Sequence, residues 1–149
     1  MCIRDSLIAA PAATIFDLLA DPSRHQEIDG SGTVKGAQEG AQRLALGSKF
    51  GMSMKMGIGY SMVNTVVEFE ENQRIAWQPR PSIGFMRLLA GGRIWRYELF
   101  EQADGTLVRE SWDITQEAHP WAVRNMRSKT IDAMTKTLER IAQVVEAKA

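Results

Sequence analysis

Between Thr33 and Thr115 apolar and polar residues alternate with a period of two, the spacing of antiparallel strands with one face on a core and the other in water. Turn residues divide this stretch and let registers be assigned. Gly57-Ile58 suits a two-residue hairpin loop, which sets Met56 opposite Gly59, Met54 opposite Ser61 and Met52 opposite Val63. On that register Met52, Met54, Met56, Val63, Thr65, Val67 and Phe69 share one face, with Ser53, Lys55, Asn64 and Glu68 on the other. A three-residue loop at Glu71-Asn72-Gln73, with Asn72 left-handed, puts Phe69 opposite Ile75 and Val67 opposite Trp77. The last hairpin turns at Gln102-Ala103-Asp104-Gly105, so Glu101 meets Thr106, Leu99 meets Val108, Tyr97 meets Glu110 and Trp95 meets Trp112. The last three pairs lie on one face, and Glu110 therefore points inward.

Helical patterns flank the strands. Leu7 to Ala9 reads as the end of a first strand, after which Pro11 suits a first helical turn, and Ile15, Phe16, Leu18 and Leu19 form an apolar face that Asp21-Pro22 ends. A second short helix follows from Pro22 to Ile28 with Asp21 as its N-cap, and Asp29-Gly30 turns the chain toward the strands. After His119-Pro120 a long amphipathic helix runs from Trp121 to Ala147, with Val123, Ile131, Met134, Leu138, Ile141 and Val145 along one stripe. The apolar sheet face is the surface large enough to cover that stripe.

Composition narrows the picture without changing it. A chain of 149 residues fits one domain over 1–149, and its 18 basic residues balance its 18 acidic ones, so no overall field recruits nucleic acid or an anionic membrane. The single cysteine, Cys2, allows no internal disulfide, and its place near the start suggests a frayed end. Met1 to Ser6 (MCIRDS) reads as adaptor-derived, non-native sequence replacing part of the first strand. No leader pattern or membrane-length apolar run is present in the sequence, which makes the cytoplasm the expected location.

The segments APAATIFDLLADPSRH, GSKFGMSMKM, NTVVEFEENQRIAW and WRYELFEQADGTLVRESWDIT, followed by the terminal helix, resemble in content and order the START-like or SRPBCC superfamily, especially its polyketide cyclase/dehydrase-like branch. The resemblance implies an α+β helix-grip fold: a curved antiparallel sheet of about seven strands around a long C-terminal helix, with two short helices after the first strand. It also implies a cavity for a lipid, polyketide or aromatic metabolite, with cyclase or dehydratase chemistry in some members and binding alone in others. A non-catalytic lipid or quinone carrier and a co-chaperone-like interaction module are further alternatives, since fold by itself does not fix function.

Within that frame Met52, Met54, Met56, Val67, Trp77, Phe85, Arg93, Trp95, Trp112, Ile131 and Met134 are the candidate ligand-lining residues, with an ordinary packed core as the competing reading. Glu110 and Tyr97 are the candidate acid/base groups. A carboxyl in an apolar cavity has its charged form disfavoured, which moves its pKa toward the range of proton transfer, although a structural bond to Tyr97 or Arg93 would place the same residues together. The apolar stretch Pro79 to Gly91 reads as a lid, a subunit contact or a packed short helix, and Gly91-Gly92 as a bend. His25 is expected to cap or end the second short helix and His119 to lie in a loop; neither belongs to a metal-binding pattern. Nucleotide and nucleophile motifs are missing from the sequence as well. The expectation is a monomer or weak homodimer that takes a hydrophobic small molecule, with no cofactor, no metal, no nucleic acid and no integral membrane association.

Overall fold

The computed structural model describes residues 1–30, 34–37, 42–56, 58–81, 92–117 and 119–146, and at 34–37, 52–56, 58–61 and 122 it describes the backbone alone. Strand β1 (Cys2–Ile8) leads into α1 (Ala12–Leu19), which begins after Pro11, where a fixed φ and a missing N–H suit a helix start. Helix α1 buries Ile15, Phe16, Leu18 and Leu19 and stops before Pro22. There the Asp21 carboxylate accepts the Ser23 N–H at 3.1 Å and opens a 3-10 turn, Pro22–Arg24, that continues as α2 (His25–Ile28).

Six further strands follow: β2 (Val34–Ala37), β3 (Lys49–Met56), β4 (Ile58–Glu70), β5 (Arg74–Pro81), β6 (Ile94–Gln102) and β7 (Gly105–Asp113). They join β1 in one seven-stranded sheet of order β1-β7-β6-β5-β4-β3-β2 with antiparallel neighbours. The chain then forms α3 (Pro120–Val123), a 3-10 turn at Arg124–Met126 and the long α4 (Arg127–Glu146). The long helix expected from Trp121 thus carries a tightened turn near its start. Met134, Leu138, Ile141 and Val145, spaced four, three and four apart, give α4 a buried stripe that covers the sheet, which is the helix-grip arrangement.

The β6–β7 register is the expected one, with Tyr97 opposite Glu110 and Trp95 opposite Trp112. Phe69 likewise faces Ile75, and Asn72 has φ of 61° in the loop between β4 and β5. Two expected registers are corrected. Met52 pairs with Met62, Met54 with Tyr60 and Met56 with Ile58, one residue away from the expected partners, because the strands close across a single intervening position. Trp77 pairs with Val66 rather than Val67, and the pairing shifts between Val66 and Glu68. This bulge inverts the alternation: Asn64 and Val66 turn inward while Val67 is 38% exposed. Cys2, expected on a frayed end, pairs opposite Trp112 and is 3% exposed.

Two buried clusters occupy the space between sheet and helices. The larger joins α1 to the sheet and to Leu138, Ile141 and Val145 of α4. The smaller gathers Cys2, Trp112, Val123 and Met134 near the start of α4.

Candidate functional site

Glu110 lies on β7 between Val108 of the larger cluster and Trp112 of the smaller one. The hairpin register brings Tyr97 across from it, and the phenol donates to Glu110 Oε1 at 2.9 Å. Glu110 is 2% exposed, and its other oxygen, Oε2, has no hydrogen-bond partner among the described residues. Burial pushes the carboxyl up to about 8; the Tyr97 bond opposes this and the charge of Asp29 adds to it. At neutral pH the group is therefore predominantly a carboxylic acid. Tyr97 occupies Oε1, which leaves Oε2 as the oxygen free to bond a guest. Tyr97 is itself raised well above the ordinary phenol value, by burial first and then by Glu110.

Asp29 is held by contacts its neighbours make with α4. The Arg140 guanidinium donates to the Asp29 carbonyl, and the Gly30 N–H donates to Thr137 Oγ1 at 2.9 Å. A Cβ on Gly30 would come within 2.2 Å of the Ala133 carbonyl oxygen, so the close approach requires glycine. The sequence assigned these two residues only a turn. They instead place a second carboxylate where its charge acts on both Glu110 and Tyr97.

His25 is also a correction. It opens α2 but is 4% exposed, stacks on Trp77 at 5.0 Å between ring centroids and meets the edge of Phe50 at 5.4 Å. Its Nε2 lies 2.8 Å from the Leu19 carbonyl. A carbonyl only accepts, so Nε2 carries the hydrogen and Nδ1 presents a lone pair, which has no partner among the described residues. Burial lowers the ring to about 4 and keeps it neutral. Trp77 continues to Tyr97 at 5.5 Å, giving an aromatic path from His25 to Glu110. The signal for His25 was its i, i+3 spacing with Ile28, which is also buried.

The sequence candidates divide unevenly. Trp77 belongs to the larger cluster, Trp112 and Met134 belong to the smaller, and Trp95 and Ile131 pack against the smaller. Trp95 and Trp112 stand 6.3 Å apart, and Trp112 Nε1 is buried with no partner among the described residues. Met52, Met54 and Met56 lie on β3, with their side chains outside the described residues, as is Phe85 entirely. Val67 is on the outer side of the bulge and does not join the set. Arg93 turns to Glu117 rather than Glu110: its backbone N–H donates to Glu117 Oε2 at 3.1 Å and its Nε lies 3.5 Å from the same oxygen.

The stretch expected to form a lid starts differently. Pro79 to Pro81 complete β5 and pair with β4, whereas 82–91 lie outside the described residues. Pairing between β5 and β6 ends at Trp77 and Trp95, beyond which the Gln78 amide donates to the Gly92 carbonyl at 2.9 Å. Gly92 makes the expected bend, with φ of 110°. Among the described residues no group of three His, Cys, Asp or Glu is suited to a metal ion, and no helix is long and apolar enough to cross a membrane.

The chain and its fold have relatives among known proteins. The family described as "Polyketide cyclase / dehydrase and lipid transport" matches residues 3–146. Protein Rv0088 of Mycobacterium tuberculosis is 40% identical over 103 residues, which is 68% of this chain and 41% of that protein. The chain thus spans about two-fifths of the length of the curated relatives it matches. The crystal structure of Ms6760 from Mycobacterium smegmatis superposes with a TM-score of 0.75 at 15% identity, covering 99% of this chain and 91% of the other. The solution structure of the Aha1 dimer from Colwellia psychrerythraea gives 0.68 at 13% identity, covering 97% and 94%. These two likenesses are of fold.

Proposed function

The chain belongs to the polyketide cyclase/dehydrase and lipid transport family, and from that premise we propose that it binds a hydrophobic small molecule between the sheet and α4, with Glu110, held by Tyr97, as the polar anchor. The observation that carries this reading is the unpartnered Oε2 of a buried glutamate among aromatic side chains. An unsatisfied buried polar atom costs about 1–3 kcal/mol, so a guest that bonds to Oε2 recovers that cost on binding.

The same geometry supports acid/base chemistry of the cyclase or dehydratase sort. Protonated Oε2 can give its proton to a developing enolate or leaving hydroxyl and recover one from the substrate, and a carboxyl near pH 8 does this with little mismatch to neutral solution. Tyr97 fixes the carboxyl orientation throughout. A carrier needs Glu110 only as a bonding partner; an enzyme needs it as a proton donor as well. The proposal extends to a monomer or weak homodimer acting in the cytoplasm, which sedimentation at low and high concentration and cell fractionation read directly.

Native mass spectrometry of protein purified from cells tests the binding reading. A reproducible apolar passenger released on denaturation is the expected result, and denatured protein that releases nothing after supply of broad apolar extracts defeats it. Glu110→Gln separates the two forms: loss of turnover with the passenger retained identifies an enzyme, and an unchanged profile identifies a carrier.

A further inference from the structure

The unpartnered atoms of this interior differ in what they can bond. Glu110 Oε2 is free while Tyr97 occupies Oε1 and donates when the carboxyl is protonated, and the Trp112 indole N–H can only donate. These residues are two apart on β7 and on the same face, each 2% exposed. An oxygen of the guest that accepts hydrogen bonds satisfies both; an alkyl group satisfies neither.

Charge narrows the class further. His25 offers a lone pair and no positive charge. Arg93 is engaged by Glu117, Arg96 by Glu68 and Asp113 on the outer face, and Arg140 by the Asp29 carbonyl. Arg4, which the β1–β7 register sets beside Glu110, is exposed and holds its charge in water. The groups acting on Glu110 are Tyr97 and the carboxylate of Asp29, and the neighbouring cluster around Trp112, with Met134 and Ile131 of α4, is apolar. A carboxylate guest would be buried beside a like charge with no described cation to compensate it, which is costly in an apolar interior.

Resting on the binding reading above, we infer that the guest is an uncharged apolar molecule carrying a carbonyl oxygen, which Glu110 and Trp112 hold together, and that the site selects against carboxylates. The titration of Glu110 agrees in sense: the donor is present below about pH 8 and is lost above it.

Three probes of one shape test this by calorimetry: 2-acetylnaphthalene, 2-ethylnaphthalene and 2-naphthoate. At neutral pH the ketone should bind about tenfold more tightly than the ethyl compound, and naphthoate more weakly than either. Glu110→Leu should erase the ketone advantage while leaving ethylnaphthalene affinity in place. Glu110→Gln, whose amide N–H still donates, should keep that advantage and remove its decline in alkaline solution, a readout that stands even if the leucine variant fails to fold. Equal binding of ketone and ethyl compound by the unmodified protein overturns the inference and leaves the binding reading intact. Tightest binding of naphthoate, reduced by Arg4→Ala, also overturns it and points to a site for acids. Binding of none of the three overturns both readings.

Discussion

The two ends of α4 meet the sheet in different ways. Toward its C-terminus Leu138, Ile141 and Val145 join Phe16, Leu18 and Leu19 of α1 and Ile75, Leu99 and Val108 of the sheet in a large apolar cluster. Toward its N-terminus Met134 meets only Cys2, Trp112 and Val123 as fully buried partners among the described residues, and two unpaired polar atoms, on Glu110 and Trp112, lie at that end. One helix thus packs the larger cluster with its second half and the smaller with its first, and Glu110 and Tyr97 stand where the two clusters meet on the sheet. The difference teaches that apolar packing is concentrated toward one end of α4, while the unpartnered Glu110 and Trp112 atoms lie toward the other.

The sharpest way to break this comparison is Phe16→Ala. Phe16 is fully buried and meets Phe69 edge-on at 5.4 Å, so its removal should cost about 3–5 kcal/mol in chemical denaturation while leaving probe affinity of the folded fraction unchanged. An equal loss of affinity would show that the two ends are not independent. Gly30→Ala comes next: the clash with the Ala133 carbonyl should cost about 1–3 kcal/mol and, unlike Phe16→Ala, should shift the titration of Glu110, because Asp29 moves with it.

The pH dependence sharpens the contrast further. The folded pKa of Glu110 is raised from 4.5 to about 8, so its native state holds the extra proton and stability falls as pH rises through that window, by about 1.4 kcal/mol per pH unit at most. His25 is lowered from 6.5 to about 4, so its contribution is lost as pH falls through that window, with the opposite slope. The two offset each other between 4.5 and 6.5, and the Glu110 decline stands alone above 6.5. Denaturation at a series of pH values should show that decline, about 2 kcal/mol by pH 8, and Glu110→Gln should flatten it. The smallest expected effect on stability is that of Trp112→Phe, about 1–2 kcal/mol for the cavity its smaller ring leaves, since the N–H it removes has no described partner; it should also weaken the ketone probe severalfold.

Legibility in the sequence followed the locality of each signal. The Gln102–Gly105 turn and unbroken alternation fixed the β6–β7 register, and with it the inward Glu110 and its Tyr97 partner. Helix α1 announced itself through Pro11 and its apolar face. The bulge at Val67 was hidden because Val66 and Val67 are chemically identical, and only pairing with Trp77 decides which turns inward. Gly57 suggested a loop one residue longer than the one formed, and every partner between β3 and β4 moved accordingly. Asp29 and Gly30 were missed because their contacts lie with residues of α4 more than a hundred positions away, beyond the reach of any local pattern.

The seat of Gly30 against Ala133 and Thr137 has a consequence for exchange with solution. A lift of α4 that admits water to the interior parts Asp29 from its support and returns Glu110 toward an ordinary carboxylic acidity. Opening at neutral pH therefore acidifies the medium, and reclosure takes the acid back. A weakly buffered solution containing a coloured indicator would register a net shift of the molecules toward the open form, making helix undocking visible without any label on the molecule.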